Sequence, residues 1–250
     1  MRNLFLLTVL LAGLSCQSES GLVFSPREFE GPQCANCPKV RVSIPQADET
    51  RQLGRVVNRA VSEEIIHWLD YDEENQAASI PEAIEAFAAG YEVLRSEFPD
   101  ETIGWEATVE GRISHETQEV LTIFLEGYIF TGGAHGYTSS RYLNFDKKDA
   151  AEMDTWQLFS DLDGFQRFAE SRFREEHHIS AEADINSTGF MFEDGMFQLP
   201  ENIGLEPEGL VLLYNPYEVA SYADGPIRLV LAYKDVKPFL AHETGITDPS

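Results

Sequence analysis

YIFTGGAHGYTSSRYLNFD, the stretch from Tyr128 to Asp146, places three glycines and one histidine between two segments rich in aromatic and β-branched residues. Such segments are typical of β-strands, and clustered glycines between them mark a bend or a close backbone approach. The stretch therefore predicts two strands separated by a glycine-rich bend. His135 has two interpretations here, a general base in a catalytic loop or a residue that holds the backbone at a strand crossing, and the glycines favour the second.

Two amphipathic helices are predicted before this stretch. Apolar residues recur at helical spacing over 47–69 and again over 80–98, with charged residues on the opposite faces. Ser79 and Glu82 have the spacing of a capping box at the start of the second helix, and Pro99 ends it. A third helix is predicted after the stretch, over 163–178.

The remaining segments predict strands, because apolar and polar residues alternate along some of them and β-branched and aromatic residues are frequent in others. The predicted strands cover 40–44, 105–113, 118–130, 137–146, 190–199, 209–214 and 227–233. Strands grouped apart from helices favour the α+β class. We therefore expect a mostly antiparallel sheet, with two helices from the N-terminal half and one further helix packed on it.

The N-terminus predicts export and a lipid anchor. Arg2 precedes an apolar run too short to span a bilayer, and LAGLSC, ending at Cys16, resembles a bacterial lipobox. We expect residues 1–15 to be a signal peptide, Cys16 to be acylated, and 16–38 to be a lipidated tether. Gln17 after the cysteine favours an outer-membrane anchor facing the periplasm, and plain secretion is the alternative. Residues 242–250 are expected to be a tail.

Cys34 and Cys37 are separated by two residues, a spacing found in redox dithiols, in zinc half-sites and in local disulfides. The surrounding Gly, Pro, Gln and Asn are typical of a linker, and an oxidising envelope favours a disulfide. No metal ligand set, cofactor site or catalytic motif is predicted elsewhere in the sequence.

The chain has 43 acidic and 18 basic residues and a formal net charge of −25. A surface of this charge repels phosphate backbones, so nucleic acid is excluded as an expected partner. It attracts basic proteins, at a rate that falls with salt. The alternative interpretation is that the acidity serves solubility alone.

Two further segments, WQLFSDL at 156–162 and YNPYEVASYADG at 214–225, follow the opening stretch in order. Together the three segments resemble the domain shared by the RsiV-type anti-sigma factor and the peptidoglycan deacetylase PdaC, the DUF3298/DUF4163 family. Ser221 stands where this family usually has proline. The resemblance covers residues 39–241 and implies a DUF4163-like part over 39–136 and a DUF3298-like part over 137–241, joined in one unit.

The resemblance also implies a role. In the deacetylase, catalysis belongs to a separate domain, and in the anti-sigma factor this domain binds lysozyme outside the cell. Neither deacetylation nor sigma-factor control is carried over to this chain, so the resemblance implies a binding domain outside the cytoplasm. The residues that match the family motifs are the candidate ligand contacts: Thr131, Gly132, Gly133, His135, Tyr217, Glu218 and Tyr222. For Tyr217 and Glu218 the alternative role is to pin a turn between strands.

Three functions are open at this point. The first is a non-enzymatic envelope lipoprotein that binds a lysozyme-like basic protein or peptidoglycan. The second is a hydrolase acting on wall glycan, with His135 paired to an acid such as Glu218 or Asp146. The third is a purely structural envelope lipoprotein without a soluble ligand.

Overall fold

The computed structural model describes residues 21–70, 77–99 and 103–241, and these ranges form two sheets. The six strands of the first sheet lie side by side in chain order: β1 (Phe24–Glu30), β2 (Lys39–Ala47), β3 (Glu106–Glu116), β4 (Val120–Phe130), β5 (Tyr137–Asp146) and β6 (Ala151–Met153). Neighbouring strands are antiparallel except β2 and β3, which are parallel because a helical crossover connects them.

That crossover consists of the two predicted N-terminal helices, α1 (Gln52–Leu69) and α2 (Ile80–Glu97). Their apolar stripes pack with one face of the first sheet in a continuous core. Ser79 caps α2 by accepting a hydrogen bond from the Glu82 N–H, and the Glu82 carboxylate accepts one from the Ala78 N–H at 2.9 Å. This reciprocal cap is the reason that α2 begins where the sequence predicts.

The second sheet comes from the last third of the chain. It contains β7 (Ile203–Glu206), β8 (Gly209–Tyr214) and β9 (Ile227–Leu231), all antiparallel. α3 (Leu162–Glu176) packs on it, and the short α4 (Tyr233–Val236) follows β9. The phenylalanines of α3 and of the segment after it fill a second core, which is separate from the first.

The two sheets meet where β7 crosses the face of the first sheet that α1 and α2 leave open. Gly204 permits this approach, since a Cβ at that position would lie 2.2 Å from Cγ of Tyr142 on β5. Asn202 accepts a hydrogen bond from the Tyr142 N–H at 2.8 Å and donates one to the Ser140 carbonyl at 2.7 Å. The contact therefore depends on side-chain to backbone pairing as well as on apolar packing.

The α+β class with mostly antiparallel strands is confirmed, with two differences. The structure has two sheets, and the third helix packs on the second sheet. The strand predicted at 190–199 is wrong, because this segment forms turns whose phenylalanines pack on α3. β7 was not predicted, since its four residues carry no alternation and all of them are buried.

The prediction of a tether over 16–38 is wrong for Phe24–Glu30, which form β1. β1 is an edge strand with β2 as its neighbour, so most of its side chains are exposed and polar and resemble a linker. The predicted signal peptide, Cys16 and the predicted tail lie outside the described residues. None of the described helices is both long enough and apolar enough to cross a membrane.

The first sheet has two ends, named here the proximal and distal poles. At the proximal pole β1 and β4 begin and β2, β3 and β5 end, and the first described residues lie there, with the Val23 carbonyl bonded to the Asp48 N–H. At the distal pole lie the loops 31–38 and 131–136. The domain boundary predicted between residues 136 and 137 separates β4 from its partner β5, so it divides one sheet rather than two bodies.

Candidate functional site

The loop 131–136 at the distal pole joins β4 to β5. Gly132 and Gly133 have φ values of +109° and +88°, a region that residues with a Cβ rarely adopt. The space around both is open, so the requirement for glycine is one of backbone shape. These two predicted site residues therefore set the path of the loop.

Three of the predicted site residues come together beside this loop. The His135 ring stacks on the Tyr222 ring with centroids 3.8 Å apart and planes 16° apart. The Tyr222 hydroxyl donates a 2.7 Å hydrogen bond to the Gly136 carbonyl, across 86 residues of sequence. The Tyr217 ring centroid lies 5.5 Å from that of Tyr222. The fold thus places the two family motifs side by side.

Two tyrosines that the sequence reasoning missed complete this surface. The Tyr137 hydroxyl donates to the Pro216 carbonyl at 3.2 Å, and the Tyr128 ring fills the space that a side chain at position 136 would occupy. Tyr137 is the first residue of β5 after the loop, and Tyr128 lies near the end of β4 before it. We name Tyr128, His135, Tyr137, Tyr217 and Tyr222 the aromatic cluster.

The aromatic cluster is open to solvent. The exposed fractions of Tyr217, Tyr137 and Tyr128 are 57%, 41% and 37%. Tyr217 also has a φ of +72°, which is strained for a residue with a side chain. An exposed aromatic ring held on a strained backbone is a feature that functional sites retain at a cost to stability.

The remaining predicted residues lie at the margins of the aromatic cluster. Thr131 and Gly132 line a crevice of about 10 Å³ beside Ile103 and Leu94, which has space for about one water molecule. Glu218 follows Tyr217, and its carboxylate lies 3.5 Å from the Asn215 side-chain amide. Asn215 also accepts from the Ser140 N–H at 2.8 Å and so anchors this loop to β5.

Protein atoms remove part of the water around the Glu218 carboxylate, although the residue as a whole is exposed, and this raises the pKa of Glu218. The charge of Glu201 raises it further, while the Asn215 hydrogen bonds oppose the shift. Burial raises the pKa of Tyr137, and the charge of Glu218 adds to the increase. Tyr137 therefore stays protonated as a hydrogen-bond donor.

A raised folded-state pKa means that folding favours the protonated form of Glu218. Its contribution to stability is present at low pH and is lost as the pH rises through the folded pKa. We expect Glu218→Gln to increase the free energy of unfolding slightly at pH 7 and to leave it unchanged near pH 3. Urea unfolding at both pH values checks this, with Glu92→Gln on the exposed face of α2 as the control for net charge. Equal gains in the two variants at pH 7 would contradict the local effect.

The arrangement does not assemble the predicted hydrolytic pair of His135 and Asp146. Asp146 lies at the proximal pole, where its carboxylate accepts the Lys148 and Asp149 N–H groups in a turn. His135 Nδ1 lies 3.0 Å from the Gly136 carbonyl, its own neighbour in the chain. Within the described ranges, no three or more His, Cys, Asp or Glu side chains are grouped as metal ligands.

Cys34 and Cys37 form a disulfide in the loop 31–38, also at the distal pole. Arg95 near the end of α2 donates to the Asn36 carbonyl at 3.1 Å, so this loop is attached to the helix layer. The loop joins β1 to β2, and no helix begins beside the cysteines as it does in thioredoxin-like dithiols. The disulfide braces the hairpin that begins the sheet.

These features define a class, an α+β domain of two crossed sheets with exposed aromatic residues at one pole. Residues 145–234 match the family model DUF3298, described as a protein of unknown function, and residues 33–138 match a model described as Deacetylase PdaC. The chain therefore carries a DUF3298 domain preceded by a PdaC-like segment, as the sequence motifs predict. Its relation to DUF4163 and to the RsiV-type factor stays a prediction.

Two solved structures of DUF3298 family proteins share the fold. The protein from Pseudomonas aeruginosa PAO1 matches with a TM-score of 0.60 and 19% identity, over 88% of this chain and 93% of that one. The protein from Bacteroides fragilis NCTC 9343 matches with a TM-score of 0.67 and 16% identity, over 89% and 94%. No curated protein sequence matches the chain.

Proposed function

We propose that this protein is a non-enzymatic binding protein of the cell envelope, which captures a wall-associated ligand with its aromatic cluster. The ligand that the net charge and the family resemblance favour is a basic protein of the lysozyme type. The observation that carries the proposal is the strained, exposed Tyr217 beside the stacked pair of Tyr222 and His135. Tyrosines bury a large area at a low cost in side-chain entropy, and they are frequent among the residues that dominate binding energy.

Charge supports the choice of a basic ligand. A net charge of −25 attracts a basic protein over long distances and speeds its association at low salt. The aromatic cluster then supplies contacts at short range that salt does not screen. Binding should therefore weaken as salt increases without being abolished, in contrast to adsorption by charge alone.

The place in the cell is part of the proposal. Acylation at Cys16 would hold the protein in the outer membrane, facing the periplasm, and the aromatic cluster lies at the pole opposite the first described residues. The distal pole would therefore point away from the membrane, where it can meet a ligand in the periplasm. Palmitate labelling in cells tests the anchor, and an unlabelled wild-type protein would contradict it.

Replacing Tyr217 separates binding from stability. We expect Tyr217→Ala to weaken lysozyme binding about 30-fold, the effect of losing a contact worth about 2 kcal/mol. Tyr217→Gly should weaken binding equally and yet stabilise the fold, because glycine adopts a positive φ without strain. Calorimetric titration at low and high salt gives the affinity, and urea unfolding gives the stability.

The control is Val23→Ala at the proximal pole, where an exposed apolar side chain is removed far from the aromatic cluster. Its affinity for lysozyme should equal that of the wild type. Muropeptides are titrated in parallel. If only the muropeptides release heat on binding, the ligand is peptidoglycan and not a lysozyme-like protein. If neither lysozyme nor muropeptides bind, both named ligands are ruled out, and a structural role for the lipoprotein becomes the better explanation.

A further inference from the structure

A second exposed aromatic residue, Trp156, lies away from the aromatic cluster and between two open depressions. The first, about 370 Å³ in volume, follows the edge of β5 and the segment after β6. Its polar lining residues are Arg141, Asn144, Glu152, Asp154, Thr155 and Glu201. The second, about 300 Å³, is lined by Trp156 with Leu162, Gln166, Gln198 and Leu199. Both volumes lie at the lower end of the range for small-ligand pockets.

The backbone at Trp156 is held in place between the two depressions. It lies in a short 3-10 turn, Thr155–Leu158, that Asp154 caps by accepting the Trp156 N–H at 3.0 Å. The Gln157 side chain accepts the Asp154 N–H at 2.8 Å, which closes the capping box. The Thr155 hydroxyl donates to the Glu201 carbonyl at 2.7 Å. The backbone that carries this indole, which is 37% exposed, is therefore fixed before a ligand packs on the ring.

The polar groups around the indole are mixed in character. Glu152, Asp154 and Glu201 offer acceptors, whereas Arg141 and the amides of Gln166 and Gln198 offer donors. Arg141 Nε is buried without a hydrogen-bond partner among the described residues, and its ion pair with Glu64 is long, at 3.9 Å. The Arg141 side chain as a whole is 36% exposed, so its guanidinium can still offer donors to a ligand.

This mixture favours a neutral ligand over a polyanion, which would meet the carboxylates of Glu152, Asp154 and Glu201. The same carboxylates attract a cation, but a cation brings donors only and cannot pair with the Arg141 guanidinium. The hydroxyl groups of a neutral sugar both donate and accept, so they can pair with either kind of side chain. The flat C–H face of a pyranose ring can pack on an indole in the way that other apolar surfaces do.

We propose that Trp156 and the two depressions form a binding site for a neutral oligosaccharide of pyranose units, with one ring on the indole and its neighbours extending to either side. This site is distinct from the aromatic cluster and does not depend on the function proposed for it. It adds glycan recognition at the β5 edge to protein binding at the distal pole.

The test uses the purified protein and the neutral probes chitotetraose, cellotetraose and maltotetraose, with pentalysine and polyglutamate as charged probes. We expect at least one sugar to bind saturably and to change tryptophan fluorescence. At about 0.5 M salt, which screens the general attraction of cations to the acidic surface, neither charged probe should compete with it. Trp156→Ala should lower the sugar affinity at least about tenfold, and Trp156→Phe should retain part of it. Gln198→Ala should weaken binding less than Trp156→Ala does.

The two sites are told apart by their variants. Tyr217→Ala should keep full sugar affinity, and Trp156→Ala should keep full lysozyme affinity, so either proposal can fail alone. Unfolding curves check that each variant is folded, and Trp156→Phe serves if Trp156→Ala is not. The proposal is overturned if no sugar binds at concentrations up to about 10 mM, if the Trp156 variants bind like the wild type, or if pentalysine displaces the sugar at the same high salt.

Discussion

Glu206→Ala should cost about 2–4 kcal/mol of the free energy of unfolding, because it removes a buried carboxylate whose hydrogen bonds join both sheets. Glu206 on β7 is 5% exposed and accepts hydrogen bonds from Arg112 on β3 and from the Tyr142 hydroxyl on β5, both at 2.6 Å. Arg228 on β9 lies 3.8 Å away. The substitution leaves a buried hydroxyl without its acceptor and two guanidinium groups without their shared counterion. The midpoint of urea unfolding, followed by circular dichroism, measures the loss.

Glu208 provides a matched control for this prediction. It pairs with the same Arg228 at 2.9 Å, but half of its side chain is exposed. Exposed ion pairs contribute between zero and about 1 kcal/mol, so Glu208→Ala should have a small effect. Glu206→Gln should lie between the two, because the amide keeps one acceptor. If Glu208→Ala is as costly as Glu206→Ala, the role assigned to burial between the sheets is contradicted.

The helices could be predicted from the sequence because their signals are local. Leu53, Val57 and Ile65 lie on the same side of α1, and all are buried. The Ser79 cap needs only the residues next to it. The same applies to β3, β4 and β5, which are ten or eleven residues long and in which alternation or a high content of β-branched and aromatic residues is visible locally.

Elements whose structure depends on distant partners could not be predicted in this way. β1 resembles a linker because its polar side chains face solvent, and only pairing with β2 makes it a strand. Glu206 looks like one more acidic residue near a turn, since its partner Arg112 lies 94 residues earlier. Nothing in the local sequence distinguishes a buried ion pair from an exposed one.

The candidate site was predictable in part for the same reason. The motifs around His135 and Tyr217 mark two loops, but the sequence does not show that the loops touch. Stacking of His135 on Tyr222 requires β5 and the second sheet to meet, and that contact depends on Gly204 and Asn202. Trp156 carried no signal beyond the motif that contains it, since exposure is a property of the folded chain.

The segment 190–199 shows how composition can indicate the wrong element, and it leads to the second large prediction. Phe190 and Phe192 alternate as they would in a strand, yet together with Phe197 they surround Phe173 of α3 from outside any sheet. The ring of Phe173 lies 4.9–5.5 Å from those of Phe190, Phe192 and Phe197 and 6.2 Å from that of Tyr214. Phe173→Ala should therefore cost about 3–5 kcal/mol, since the cavity lies between rings held by several elements and cannot collapse.

Phe168 on the same helix is the comparison that makes this prediction specific. Phe168 is partly buried, and within the described chain its one ring contact is with Phe239, at 5.5 Å between centroids. Water can therefore enter part of the space that the substitution leaves. Phe168→Ala should cost clearly less than Phe173→Ala in the same urea unfolding experiment. Phe173→Leu should recover much of the loss, because it restores most of the volume. Equal losses at positions 168 and 173 would mean that the cluster around Phe173 is not the centre of the second core.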